Sequence, residues 1–131
     1  MKTFLMNKMV RDKVVEEMNK QGKVSETKTL NNEEFVEQLK KKLKEELDEL
    51  NEVDFGDKKH FINEIADIQL LIDYLLKTTG ITKDEIENFE KDKIAKAGGF
   101  DKRIHVGKVD LQDSDEYWIE YYRKKGFEEV K

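Results

Sequence analysis

Residues 44–53, Lys-Glu-Glu-Leu-Asp-Glu-Leu-Asn-Glu-Val, crowd Glu45, Glu46, Glu49 and Glu52 onto little more than two turns of a helix. Like charges three and four residues apart repel on a helix surface, so these acids either face water or enclose a cation. Helical phase divides them. Taking Leu43 as zero and about 100° per residue, Leu39 falls at about −40°, Leu50 at about −20°, Glu46 at about −60° and Glu49 at about −120°. Glu46 therefore sits inside the apolar stripe and Glu49 on its margin, while Glu45 and Asp48 point to the far, solvated side.

Working outward, the stripe Phe35, Leu39, Leu43, Leu47 and Leu50 predicts a helix from an Asn N-cap near Asn31 to about Asn51. The run Asp54-Phe55-Gly56-Asp57 breaks it from a third helix over residues 57–79, carrying Phe61, Ile65, Ile68, Leu71, Ile72, Leu75 and Leu76 and stopping at Gly80. There Glu64 prolongs the row Ile68, Leu71, Leu75, and Asp67 joins its edge. Antiparallel packing across the short connection brings Glu46 and Glu49 level with Glu64 and Asp67. Four carboxylates in a partly dry interface repel strongly, and a hard divalent cation relieves that. An oxygen-only set without His or Cys suits Mg2+ or Mn2+. The plainer alternative is solvated acids neutralised by Lys40, Lys41, Lys42, Lys44, Lys58 and Lys59. A di-iron carboxylate bundle requires Glu-x-x-His, which is absent, and His60 and His105 read as surface residues.

The rest of the chain is mainly helical as well. Its 131 residues include seven glycines and no proline. A first helix over residues 10–20 places Val10, Val14 and Met18 on one face and ends before Gly22, and residues 21–30 read as a linker. Thr82 and Glu85 form a capping box for a fourth helix reaching Lys96, ended by Gly98-Gly99. A short extended piece is expected at residues 103–106 and an aromatic helix over residues 114–125. The length suits one domain, with a core over about residues 5–106 and a C-terminal extension over 107–131. Thiol chemistry is excluded by the absence of cysteine. Charged residues make up 42% with a net charge of −5 and no basic stripe, which speaks against nucleic-acid binding. The polar interruptions of the N-terminal stretch speak against a leader or membrane span, and a soluble cytoplasmic protein is expected.

Glu45-Glu46-x-x-Glu49 followed by Glu64-x-x-Asp67 resembles the EExxE…ExxD signature of the all-α nucleoside triphosphate pyrophosphohydrolases, a superfamily that includes MazG, the dimeric dUTPases and phosphoribosyl-ATP pyrophosphohydrolase. Asn7-Lys8-Met9-Val10-Arg11-Asp12-Lys13-Val14 is similar to the NKLVRDKIP opening of the phosphoribosyl-ATP pyrophosphohydrolase-like branch. Residues 93–104, KIAKAGGFDKRI, are similar to its K…RGGFEKRI segment. Val15 stands where the branch usually has proline, and Ala97 where it has arginine, which removes a phosphate contact.

The resemblance implies a helical bundle in which Glu46, Glu49, Glu64 and Asp67 ligate Mg2+ (or Mn2+), with Glu45 a neighbouring acid that orients water or is merely solvated. The implied reaction is hydrolysis of a nucleoside triphosphate between its α and β phosphates, a carboxylate among Glu45, Glu46 and Glu49 serving as base. Lys8, Arg11, Lys13, Lys93, Lys102 and Arg103 are candidates for phosphate contacts, and Gly99 for a close backbone approach to the nucleotide. A homodimer or homotetramer is implied too. The competing expectations are phosphoribosyl-ATP as substrate, or a non-catalytic helical interaction module whose acids are only a charged surface. Trp118, Tyr121 and Tyr122 share a face expected to pack on the bundle or a second subunit, or to form a lid over a nucleobase.

Overall fold

The computed structural model describes residues 1–131 and contains five helices and no strand: α1 (Val14–Lys20), α2 (Asn32–Glu52), α3 (Lys58–Thr79), α4 (Lys83–Ala97) and α5 (Glu116–Lys124). The chain divides into two compact units, Met1–Asp92 and Lys93–Lys131. No helix is long and apolar enough to cross a membrane.

In the first unit, α2 begins where local chemistry dictates. The Asn31 side chain accepts from the Glu34 N–H at 2.9 Å, and the Glu34 carboxylate accepts from the Asn31 N–H at 3.2 Å, which satisfies two donors that a helix start leaves unpaired. The break to α3 is equally local: Asp54 accepts from the Gly56 N–H at 2.9 Å, and Asp57 caps α3 by accepting from the His60 N–H at 3.2 Å. The end of α3 is Gly80, at φ +74°, a left-handed conformation that glycine adopts without a Cβ clash. Thr82 and Glu85 exchange hydrogen bonds of 3.2 and 3.1 Å at the start of α4.

Helices α2 and α3 pack on each other as a hairpin. The pairing is antiparallel, since Phe35 near the start of α2 meets Tyr74 near the end of α3, rings edge-on at 6.1 Å, whereas Glu46 meets Glu64 close to the turn. The core is small. Leu39 is 1% exposed and Ile68 9%, and the third buried side chain is the acid Glu64, at 4%. Phe35, Leu43, Leu50, Phe61, Ile65, Leu71, Leu75 and Leu76 are half-buried around them and add to the hydrophobic contact of the two helices.

Three expectations are corrected here. Helix α1 begins at Val14, not at residue 10; Lys13 offers no side-chain cap, and the Val14 N–H closes a turn onto the Arg11 carbonyl at 3.0 Å. Residues 103–106 form no strand, because Arg103, at φ +53°, closes a turn by donating its N–H to the Phe100 carbonyl at 3.0 Å. The last helix is shorter than residues 114–125, running from Glu116 to Lys124, because the Asp115 N–H closes a turn onto the Gln112 carbonyl at 2.9 Å just before it. Within the second unit the α5 rings pack on one another: Trp118 meets Tyr117 at 5.2 Å and Tyr121 at 5.5 Å, and Tyr122 meets Phe127 at 5.5 Å.

Candidate metal centre of the helical hairpin

The α2–α3 hairpin brings Glu46, Glu49 and Glu64 together, with one carboxylate oxygen from each lying within 4.8 Å of the others. Glu64 is inside the interface and Glu46 is half-buried, while Glu49 is exposed at the rim. Oε2 of Glu46 and Oε2 of Glu64 are each sealed from solvent with no hydrogen-bond partner. At this spacing, two ionised carboxylates repel by about 3 kcal/mol at an effective dielectric of about 20. That is a large share of a stability that amounts in total to about 5–15 kcal/mol. The lysines do not relieve it: Lys40 pairs with Glu37 at 3.2 Å and Lys44 with Asp48 at 3.5 Å, each along its own helix.

A proton relieves part of it near neutral pH. The Glu46 carboxyl is pushed up to about 7 from an ordinary 4.5, first by burial, then by the hydrogen bond that its protonated form donates to Glu64, and then by the charges of Glu49, Asp67 and Glu64. Three carboxylates this close, with Oε2 of Glu46 and Oε2 of Glu64 buried and unpartnered, fit a hard divalent cation that completes its shell with water or phosphate oxygens. Glu46, Glu49 and Glu64 would hold it.

The fourth expected ligand is placed differently. Asp67 accepts a hydrogen bond from the Arg11 guanidinium at 2.8 Å, so Arg11 is joined to the carboxylate face and Asp67 stands beside the trio rather than within it. Glu45 is exposed and takes no part in the trio. Lys8 is exposed, and Lys13 shares with Arg11, Val14, Glu17, Met18, Gln21 and Lys23 an open groove of about 360 Å³ along α1. Lys93, Gly99, Lys102 and Arg103 are exposed in the second unit, at the end of α4 and just beyond it. There Gly98, at φ +82°, makes the helix stop, and a Cβ on Gly99 would meet nothing closer than Asp101 at 3.5 Å, so Gly99 is not held to glycine by space.

One residue was missed. His60 is on the surface as expected, its side chain 55% exposed, but its Nε2 lies 3.6 Å from Oε1 of the buried Glu64. The signal was the i,i+4 spacing of the two residues, which places neighbours on one helix face.

An all-α chain whose α2–α3 interface brings three carboxylates together has a candidate divalent-cation site. It belongs to the phosphoribosyl-ATP pyrophosphohydrolase family, whose profile matches residues 8–92, within the MazG-like all-α nucleoside triphosphate pyrophosphohydrolase superfamily. The match spans α1, α2 and α3 and with them every residue of the trio. The family makes the chain a pyrophosphohydrolase acting on a nucleotide. No curated protein and no solved structure matches it significantly.

The raised Glu46 carboxyl predicts a pH dependence with a definite sign. An acid whose folded value lies above its unfolded one contributes stability that is complete below about 4.5 and is lost as pH rises through about 7. In EDTA, the melting temperature is therefore expected to fall between pH 6 and pH 8, and the Glu46→Gln variant to fall distinctly less. A divalent cation bound there would have to expel that proton, so affinity for added Mg2+ is expected to rise toward tenfold per pH unit below about 7 and to level off above it. Equal pH profiles for wild type and Glu46→Gln would remove Glu46 from this role.

Proposed function

We propose that the protein hydrolyses a nucleoside triphosphate, ribo- or deoxyribo-, between the α and β phosphates, releasing the monophosphate and pyrophosphate in a reaction that depends on Mg2+ or Mn2+. The observation that carries this reading is the convergence of Glu46, Glu49 and Glu64, with the buried Glu64 oxygen unpartnered. The bound cation supplies charge neutralisation at the phosphates and a nucleophilic water at neutral pH. Glu64, held in the interface, fixes the inner edge of the site. Glu49, at the exposed rim, is the trio member best placed to accept a proton from a water molecule approaching from solvent, and Glu45 remains a solvated neighbour. Lys8 and Lys13 supply positive charge for the phosphate chain, and the cellular role is the clearing of unwanted nucleotides.

Phosphoribosyl-ATP, which the family's description names, is the second substrate reading. The chemistry at the anhydride would be the same, so the two differ only in what lies beyond the α phosphate. A screen of standard and damaged nucleotides together with phosphoribosyl-ATP, in Mg2+, separates them. Monophosphate and pyrophosphate are expected from a free triphosphate, with Glu49→Gln and Glu64→Gln each lowering turnover by about 100-fold or more. Diphosphate and orthophosphate as products would refute cleavage between α and β, and cation-independent turnover would refute the site.

A homodimer or homotetramer goes with this reading. In the first unit, Leu47, Ile62, Leu70, Ile72 and Tyr74 all remain 39–56% exposed on α2 and α3, leaving the hairpin with apolar surface on more than one side. Further copies of the hairpin would cover it in a bundle. Sedimentation equilibrium is expected to give a multiple of the chain mass at micromolar concentration; a monomer with full activity would contradict this.

A further inference from the structure

We propose that Arg11 is a movable counter-charge: it holds Asp67 until a divalent cation draws that carboxylate, and then passes its guanidinium to a phosphate of the nucleotide. The inference rests on the trio being a divalent-cation site that acts on a nucleotide.

Asp67 lies one turn beyond Glu64 on α3, the acid best placed to add a fourth oxygen to the trio. That carboxylate is already engaged, its Oδ1 accepting from Nη2 of Arg11 at 2.8 Å. Two cations thus contend for one carboxylate. The contact is built to exchange. Side-chain exposure is 66% for Arg11 and 28% for Asp67, and an ion pair at such a surface is weak and readily dissociates. A single N–H is engaged, which leaves most of the fork's donors free. A divalent cation brings two charges to Asp67 where the guanidinium brings one, and a guanidinium released there is suited to bidentate pairing with phosphate.

The surroundings show where it would go. Arg11 also borders the groove along α1, with Lys13 and Lys23 at its rim and Val14 and Met18 in its wall. A phosphate chain reaching the carboxylates past Arg11 would meet three cations on one side and the metal on the other. Arg11 thereby couples occupation of the cation site to capture of substrate, with the sign of positive cooperativity.

The test uses the full chain with Mn2+ and inorganic tripolyphosphate, a phosphate ligand that carries no base. For Mn2+ alone, read by electron paramagnetic resonance, Arg11→Gln is expected to bind about three- to tenfold more tightly than wild type, because a competing positive charge is gone. With saturating Mn2+, the same variant binds tripolyphosphate about tenfold more weakly. Asp67→Asn gives an independent reading in EDTA: freed from its partner, Arg11 should raise tripolyphosphate affinity about threefold or more, and the gain should vanish in the Arg11→Gln/Asp67→Asn double variant. Unchanged or weaker Mn2+ binding in Arg11→Gln overturns the competition. Unchanged tripolyphosphate binding in Arg11→Gln, or a gain that survives in the double variant, overturns the transfer. Failure of the wild type to bind Mn2+ defeats the cation site itself, whereas the other results leave that site standing and defeat only the role of Arg11.

Discussion

The interface between α2 and α3 has only two fully buried apolar side chains and buries an acid beside them. Leu39 and Ile68 are its buried hydrophobic residues, and Glu64 lies in the same row with one oxygen sealed and unpartnered. A hydrophobic residue at position 64 would pack there at no electrostatic cost, so the glutamate weakens the hairpin in the absence of a counter-charge. Glu46 and Glu49 aggravate the problem from the facing helix. Everything else about the site follows from how that repulsion is relieved: by a proton on Glu46, by the guanidinium on Asp67, or by a divalent cation among the three glutamates. Only the last of these is also a means of hydrolysing an anhydride.

Much of this was legible in the sequence because it depends on short-range periodicity. The phases of Glu46 and Glu64 relative to their leucine and isoleucine rows are set by helix geometry alone, and both residues sit where those phases put them. Asn31 with Glu34, Thr82 with Glu85, and Gly80 mark helix ends through bonds between residues three or four apart or through a backbone conformation, and each was readable. The resemblance to the pyrophosphohydrolases was carried by Glu45, Glu46, Glu49, Glu64 and Asp67 with residues 7–14 and 93–104, and the family match spans the five acids but ends at residue 92, before the last of these segments.

What could not be read was contact across long stretches of chain. Arg11 and Asp67 are 56 residues apart, and no pattern in either segment announces that a residue similar to a phosphate-binding position is paired with one similar to a metal ligand. The beginning of α1 was misplaced for a related reason: hydrophobic spacing continues through Val10, but no side chain caps the first turn there, and the segment before Val14 turns rather than coils. His60 is a different kind of miss, since its i,i+4 relation to Glu64 was in plain view. His60 lies near Glu64 without joining the trio, so no metal-ligand spacing announces it.

The central claim is that Glu46, Glu49 and Glu64 together bind one divalent cation at the α2–α3 interface. Its most direct test is anomalous scattering from a crystal of the protein grown with Mn2+. The account predicts a manganese peak among these three carboxylates within about 2.0–2.4 Å of an oxygen from each, with the Glu64 oxygen no longer unpartnered. A peak elsewhere, or none at a Mn2+ concentration that supports turnover, would contradict it.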